Sequence, residues 1–114
     1  MIALEKTTLD ICFESDLPLS EMKRALSVAT SEEWVYGDSE WHGDYLGGTV
    51  TPEAVARIYP TKRRTLFHVN LRFVTSAAEP NAIAKLHEAE RTFLDRILPA
   101  IHAHNIVQAE PLGN

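Results

Sequence analysis

Aromatic and acidic residues are concentrated in one short window of this sequence. Residues 32–53 contain six carboxylates and no lysine or arginine, and four of the five Trp and Tyr residues lie within 34–45. Trp and Tyr rings supply large contact areas and are common at interface hot spots, and carboxylates around them would steer a basic partner. The window therefore predicts a protein-binding surface. Its candidate residues are Trp34, Tyr36, Asp38, Glu40, Trp41, His42, Asp44 and Tyr45.

A second interpretation assigns the same window to the core and to an edge of the fold. Trp34 and Tyr36 are two residues apart, the spacing of side chains that pack on one face of a strand. The acidic residues would then only keep an edge strand soluble.

Polar side chains on the predicted strands form the second candidate site. Two arginines there would hold a small anionic ligand, and a histidine would act as acid or base near neutral pH. The candidate ligand-binding residues are Arg57, Tyr59, His68, Asn70 and Arg72, and the same face carries Asp10, Cys12 and Glu14. The alternatives are a solvated face with cross-strand ion pairs and a homodimer packed sheet to sheet.

Metal, cofactor and nucleophile motifs are not found in the sequence. The histidine pairs lack the fixed spacing of a metal site, and Gly47-Gly48 lacks the strand and helix of a phosphate loop. Cys12 has no neighbouring base in the sequence and is interpreted as a spectator thiol. No cofactor and no metal are expected, and catalysis is not favoured.

The hydrophobic pattern predicts the elements that position these residues. Strict alternation predicts strands at 8–14 and 66–74, the latter paired in a hairpin with 54–59. A helix is expected from about residue 16 to residue 30, a long one from Pro80, short strands at 34–36 and 41–46, and a last strand at 105–109. This order predicts an α+β fold: a ferredoxin-like two-layer sandwich, with two helices on one face of an antiparallel sheet and an inserted hairpin or loop at about 33–50.

The long helix is expected to bury one apolar stripe. The predicted stripe comprises Ile83, Leu86, Glu90, Phe93, Leu94, Ile97 and Ile101. Pro99 removes a backbone donor and crowds the carbonyl of Asp95, which predicts a kink or an end there.

Length, charge and cysteine content limit the class of protein. The 114 residues predict a single domain, 1–114. Residues 1–53 hold eleven acidic and three basic residues, a net charge of −8, which disfavours binding to nucleic acid. The single cysteine excludes an internal disulfide, and the absence of a signal peptide or a long apolar run predicts a cytoplasmic protein that does not cross a membrane.

These observations favour a small soluble binding protein of the inhibitor, immunity or accessory type. It would engage a partner protein, a basic one in particular, through the acidic-aromatic window. The alternative is a small homodimeric enzyme or ligand-binding domain that uses the open polar face of the sheet. The first hypothesis places the functional residues in the acidic-aromatic window, and the second places them on the open face of the sheet.

Overall fold

A computed structural model describes residues 8–39, 43–73 and 81–110 of the chain. The strands are β1 (Thr8–Glu14), β2 (Val35–Ser39), β3 (Gly43–Thr51), β4 (Ala54–Pro60), β5 (Leu66–Phe73) and β6 (His104–Gln108). The helices are α1 (Leu19–Thr30) and α2 (Ala82–Thr92), which continues through a π-helical segment (Phe93–Ile97) into a final turn, α3 (Leu98–Ala100). The fold is therefore α+β, as the sequence predicts.

The six strands form one antiparallel sheet in the order β2-β3-β4-β5-β1-β6. The chain from β2 to β5 is a simple meander, and β1 inserts beside β5 with β6 on its outer side. The predicted hairpin of 54–59 with 66–74 is present as β4–β5, and residues 33–50 contain the hairpin β2–β3. The strand expected at 41–46 is described from Gly43 and is longer than predicted, since it reaches Thr51.

The core lies between the helices and one face of the sheet. Strand alternation directs Phe13 of β1 and Phe67 of β5 to this face, where their rings stack with centroids 5.6 Å apart. Met22 and Leu26 of α1 and Phe93 are also fully buried in this cluster. Burial of each such side chain contributes about 1.5–3 kcal/mol, so this layer fixes which strand face turns away from the core.

Trp34 belongs to this core, which corrects its assignment to a partner-binding surface. Its side chain is 0% exposed, and its indole Nε1–H donates to Thr30 Oγ1 at 3.0 Å. The ring lies over Gly48 of β3, where a Cβ atom would collide with it. A large ring accommodated by a glycine on the neighbouring element is a packing arrangement, so the core interpretation of the window applies to Trp34.

The buried stripe of the long helix differs from the predicted one. Ile83 and Leu94 are exposed, while Ala82 and Ala89 are buried. Ala82, Leu86, Ala89 and Phe93 recur at spacings of four, three and four, so they share one helix face, and Ile83 and Leu94 each lie one position off it. The helical chain ends at Ala100, one residue after Pro99. Within the described residues, no helix is long and apolar enough to cross a membrane.

Candidate functional site

The pairing of β1 with β5 brings distant polar residues together on the sheet face that points away from the core. Asp10 lies opposite Asn70, and Cys12 lies opposite His68. Because successive side chains of a strand alternate, these four residues point away from the face that carries Phe13. The open face predicted from the sequence therefore contains a cluster of titratable groups at its centre.

Cys12, His68 and Asp10 are connected in a line through the two ring nitrogens of the histidine. His68 Nε2 lies 2.8 Å from Asp10 Oδ1, and His68 Nδ1 lies 3.7 Å from Cys12 Sγ. Asn70 Nδ2 also donates to Asp10 Oδ1, at 3.1 Å. We call Cys12, His68, Asp10 and Asn70 the thiol cluster.

The partners of His68 determine its tautomer. An ionised carboxylate only accepts hydrogen bonds, so the Nε2 atom that faces Asp10 carries a proton. In a neutral imidazole the Nδ1 atom then has a free lone pair, which faces the thiol of Cys12. A nucleophile, a base and a third group that orients the base are the elements of an activated nucleophile.

The two ionisable members of the pair are almost completely buried although they lie on the open face. Asp10 is 5% exposed and His68 is 4% exposed. A buried carboxylate is tolerated where hydrogen bonds compensate for its lost hydration, and Asp10 accepts from both His68 and Asn70. The orientation of the imidazole is therefore fixed by buried contacts.

The environment of Cys12 keeps its thiol protonated at neutral pH. Partial burial raises the pKa of this thiol, and the negative charge of Asp10 adds to the rise. A free thiolate is thus disfavoured, and reaction at neutral pH requires transfer of the thiol proton to a base. His68 Nδ1 occupies the position of that base. Cys12 is itself only partly buried.

A second cluster lies beside the first, on β3 and β4. The guanidinium of Arg57 stands 4.6 Å from the centre of the Tyr45 ring, and the rings of Tyr45 and Tyr59 are 5.3 Å apart. A hydrogen bond to Tyr59 raises the pKa of Arg57. The outer end of the Tyr45 ring lies against Gly37, where a Cβ atom would collide with it. We call Tyr45, Arg57 and Tyr59 the arginine cluster.

The two clusters are neighbours in the sheet register. Tyr59 of β4 lies opposite His68, and Arg57 lies opposite Asn70. Arg72 lies farther along the same face, opposite Val55 and Thr8, and is exposed. Of the five residues predicted to bind a ligand, the structure thus brings together Arg57, Tyr59, His68 and Asn70 and leaves Arg72 at one end.

The acidic-aromatic window does not form one surface in the described part of the chain. Tyr36, Asp38 and Asp44 are exposed on the side of the sheet that carries the helices. Tyr45 lies on the opposite face in the arginine cluster. The predicted contacts Glu40, Trp41 and His42 lie outside the described residues.

The sequence does not indicate the contact between Cys12 and His68, because the two residues are 56 positions apart. A signal was present: Cys12 and His68 both occupy polar positions of strongly alternating strands. Among the described residues no three His, Cys, Asp or Glu side chains are arranged to hold a metal ion. Comparison of the sequence with models of known protein families gives no match, and comparison with curated proteins also gives none.

Proposed function

We propose that the protein is a small thiol-dependent enzyme that works on the open face of its sheet, with Cys12 as nucleophile and His68 as base. The observation that supports this function is the line of contacts from Cys12 Sγ through the His68 ring to Asp10. Sequence comparison supplies no function for this chain, so the proposal depends on this geometry. The reaction class it suits best is acyl transfer or hydrolysis at a carbonyl carbon.

The reaction begins when Cys12 Sγ attacks the carbonyl carbon of an ester or thioester. A new carbon–sulfur bond forms, the carbonyl electron pair moves to oxygen, and the thiol proton moves to His68 Nδ1. When the tetrahedral intermediate collapses, the bond to the leaving group breaks and His68 returns the proton to that group. Water then attacks the acyl-cysteine with His68 as base, which releases the acid and restores the thiol. Asp10 orients the imidazole throughout and stabilises its protonated form.

The alternative is that the thiol cluster is only a buried polar network that joins β1 to β5. Reaction with p-nitrophenyl acetate distinguishes the enzyme from the structural network. The acetyl group remains on the nucleophile long enough to be detected by mass spectrometry. We expect a burst of p-nitrophenolate of up to one per chain and one acetyl group on Cys12 by peptide mass spectrometry. The burst should be lost in Cys12→Ser and slowed at least about tenfold in His68→Gln.

His87→Gln is the matched control, because His87 is an exposed histidine on α2. It should acetylate Cys12 at the rate of the unchanged protein. Folding of each variant is checked by circular dichroism. A folded protein that is never acetylated on Cys12, or a burst that persists in Cys12→Ser, would contradict the proposed function.

Three finer expectations accompany this proposal. The order β6-β1-β5-β4, crossed by α1 and α2, supports a ferredoxin-like arrangement to which the hairpin β2–β3 is added beside β4. A free thiol with a base suits a reducing compartment, which supports a cytoplasmic location. A homodimer is the third expectation, and sedimentation equilibrium of the purified chain tests it, with a monomer at all concentrations as the contrary result.

A second candidate function is docking of a basic partner protein at the hairpin β2–β3, as an inhibitor or immunity protein would do. Asp38 lies directly opposite Asp44, and like charges in that position are destabilising. Tyr36 beside them is 52% exposed, at the outer edge of the sheet. A cationic partner would relieve the repulsion and cover the ring.

Asp38→Asn provides the test of this second candidate. It should stabilise the free protein by about 0.5 kcal/mol and weaken the binding of a lysine-rich peptide measured by calorimetry. Glu88→Gln on α2 is the charge-matched control and should leave peptide binding unchanged. Equal peptide affinity in the protein and in Asp38→Asn would exclude docking through this carboxylate pair.

A further inference from the structure

Arg57 is held in a fixed position on the open face, which distinguishes it from an ordinary surface arginine. Its guanidinium is in contact with the Tyr45 ring and hydrogen-bonds to Tyr59. The glycine at position 37 leaves room for the Tyr45 ring, and the guanidinium lies 4.6 Å from the centre of that ring. An arginine that has already lost its side-chain freedom binds an anion at a smaller entropic cost than a mobile one.

The guanidinium of Arg57 also retains donors for a ligand. Arginine has five N–H groups in a planar fork, and the residue remains exposed while one side of it faces the two tyrosines. Within residues 8–39, 43–73 and 81–110, no carboxylate forms an ion pair with Arg57. A planar fork with free donors matches the two oxygens of a carboxylate.

The arginine cluster lies at a defined distance from the thiol. Tyr45, Tyr59, His68 and Cys12 follow one another across neighbouring strands β3, β4, β5 and β1. Adjacent strands are about 4.8 Å apart, so three such steps place Tyr45 and Cys12 about 14 Å apart across the sheet. A substrate that contacts both the arginine cluster and the Cys12 thiol must therefore be extended, with its anionic group far from its reacting carbon.

We infer that the arginine cluster is the recognition site for a carboxylate at the far end of an acyl substrate whose carbonyl carbon reacts with Cys12. This inference rests on the proposed function, since it assigns a substrate class to the same face. It goes beyond the thiol cluster, because the residues that would bind the carboxylate lie on β3 and β4, whereas Cys12 and His68 lie on β1 and β5. The protein would then react faster with extended acyl compounds that carry a carboxylate at the far end than with uncharged compounds of the same length.

Two esters of equal chain length test this inference. The mono-p-nitrophenyl ester of suberic acid carries a free carboxylate at its far end, and its methyl ester does not. For the unchanged protein we expect kcat/KM for the acid to exceed that for the methyl ester about tenfold, as one charge-assisted contact would give. Arg57→Gln should reduce this ratio to about one.

Arg24→Gln is the matched control, because it removes an exposed arginine of α1. Its ratio of kcat/KM for the acid to kcat/KM for the methyl ester should stay about tenfold, as in the unchanged protein. A second measurement needs no turnover: free suberate should slow the alkylation of Cys12 by iodoacetamide in the unchanged protein and not in Arg57→Gln.

Each outcome identifies which idea has failed. If the unchanged protein processes both esters at equal rates through Cys12, the inference is overturned and the proposed function stands. The same conclusion follows if the preference for the acid disappears in Arg72→Gln and persists in Arg57→Gln. If neither ester acylates Cys12, the proposed function is overturned; suberate protection in the unchanged protein that is lost in Arg57→Gln would then still support the carboxylate site.

Discussion

His68 Nε2 lies 2.8 Å from Asp10 Oδ1, and this buried pair joins β5 to β1 on the face of the sheet that points away from the core. The contact leaves the other ring nitrogen facing Cys12. A purely structural pair needs only the first of these contacts, whereas a nucleophile and its base need both. Substitutions can therefore separate the stabilising role of the thiol cluster from its proposed chemical role.

Replacement of Asp10 should show that the pair stabilises the fold. Asp10→Ala leaves a buried donor on His68 and a half-buried donor on Asn70 without their acceptor and should lower the free energy of unfolding by about 3–5 kcal/mol. Asp10→Asn keeps a carbonyl oxygen for both donors and should cost only about 1–2 kcal/mol. Urea denaturation at pH 7 measures both values, and an equal or larger loss in Asp10→Asn would contradict the assigned contacts.

Gly48 and Trp34 should be energetically coupled. Gly48→Ala places a methyl group against the buried indole ring and should lower stability by about 1–3 kcal/mol. In a Trp34→Leu background the smaller side chain leaves room, so the same alanine should cost less than about half as much. A double-mutant cycle by thermal unfolding checks this. Additive effects would show that the ring does not fill the space above Gly48.

Ionisation of Cys12 should reduce stability at alkaline pH. The folded-state pKa of this thiol is raised, so its contribution to stability is fully present below the ordinary thiol pKa of 9.0 and is lost as the pH rises through the folded value. Cys12→Ser does not ionise in this range and should lose less stability between neutral and alkaline pH. Lysine and tyrosine side chains are the same in the unchanged protein and in Cys12→Ser. If stability falls with pH equally in both proteins, the raised pKa of Cys12 is contradicted.

Local patterns in the sequence predicted the strands at 8–14 and 66–74, because alternation along a half-buried strand depends only on neighbouring positions. The same alternation identified the polar face on which His68 and Asn70 lie. The contact between Cys12 and His68 depends instead on the register of two strands far apart in the chain, which no local pattern fixes. For that reason the contact between Cys12 and His68 cannot be predicted from the sequence.

The acidic-aromatic window shows a different limit of sequence analysis. Concentration of Trp, Tyr and acidic residues in a short segment predicts one surface. A hairpin sends alternate residues to opposite faces, so Tyr36 and Tyr45 are separated by the sheet itself. Trp34 is buried because its ring packs over Gly48 and its indole N–H donates to Thr30. A pattern of residue types does not reveal these two contacts.

The most direct test of the central claim is the rate at which iodoacetamide alkylates Cys12 at pH 7 in the unchanged protein and in His68→Gln. If His68 takes the thiol proton, the unchanged protein should react at least about tenfold faster, and His87→Gln should match it. A folded His68→Gln protein that is alkylated as fast as the unchanged one, or faster, would contradict the claim that His68 activates Cys12.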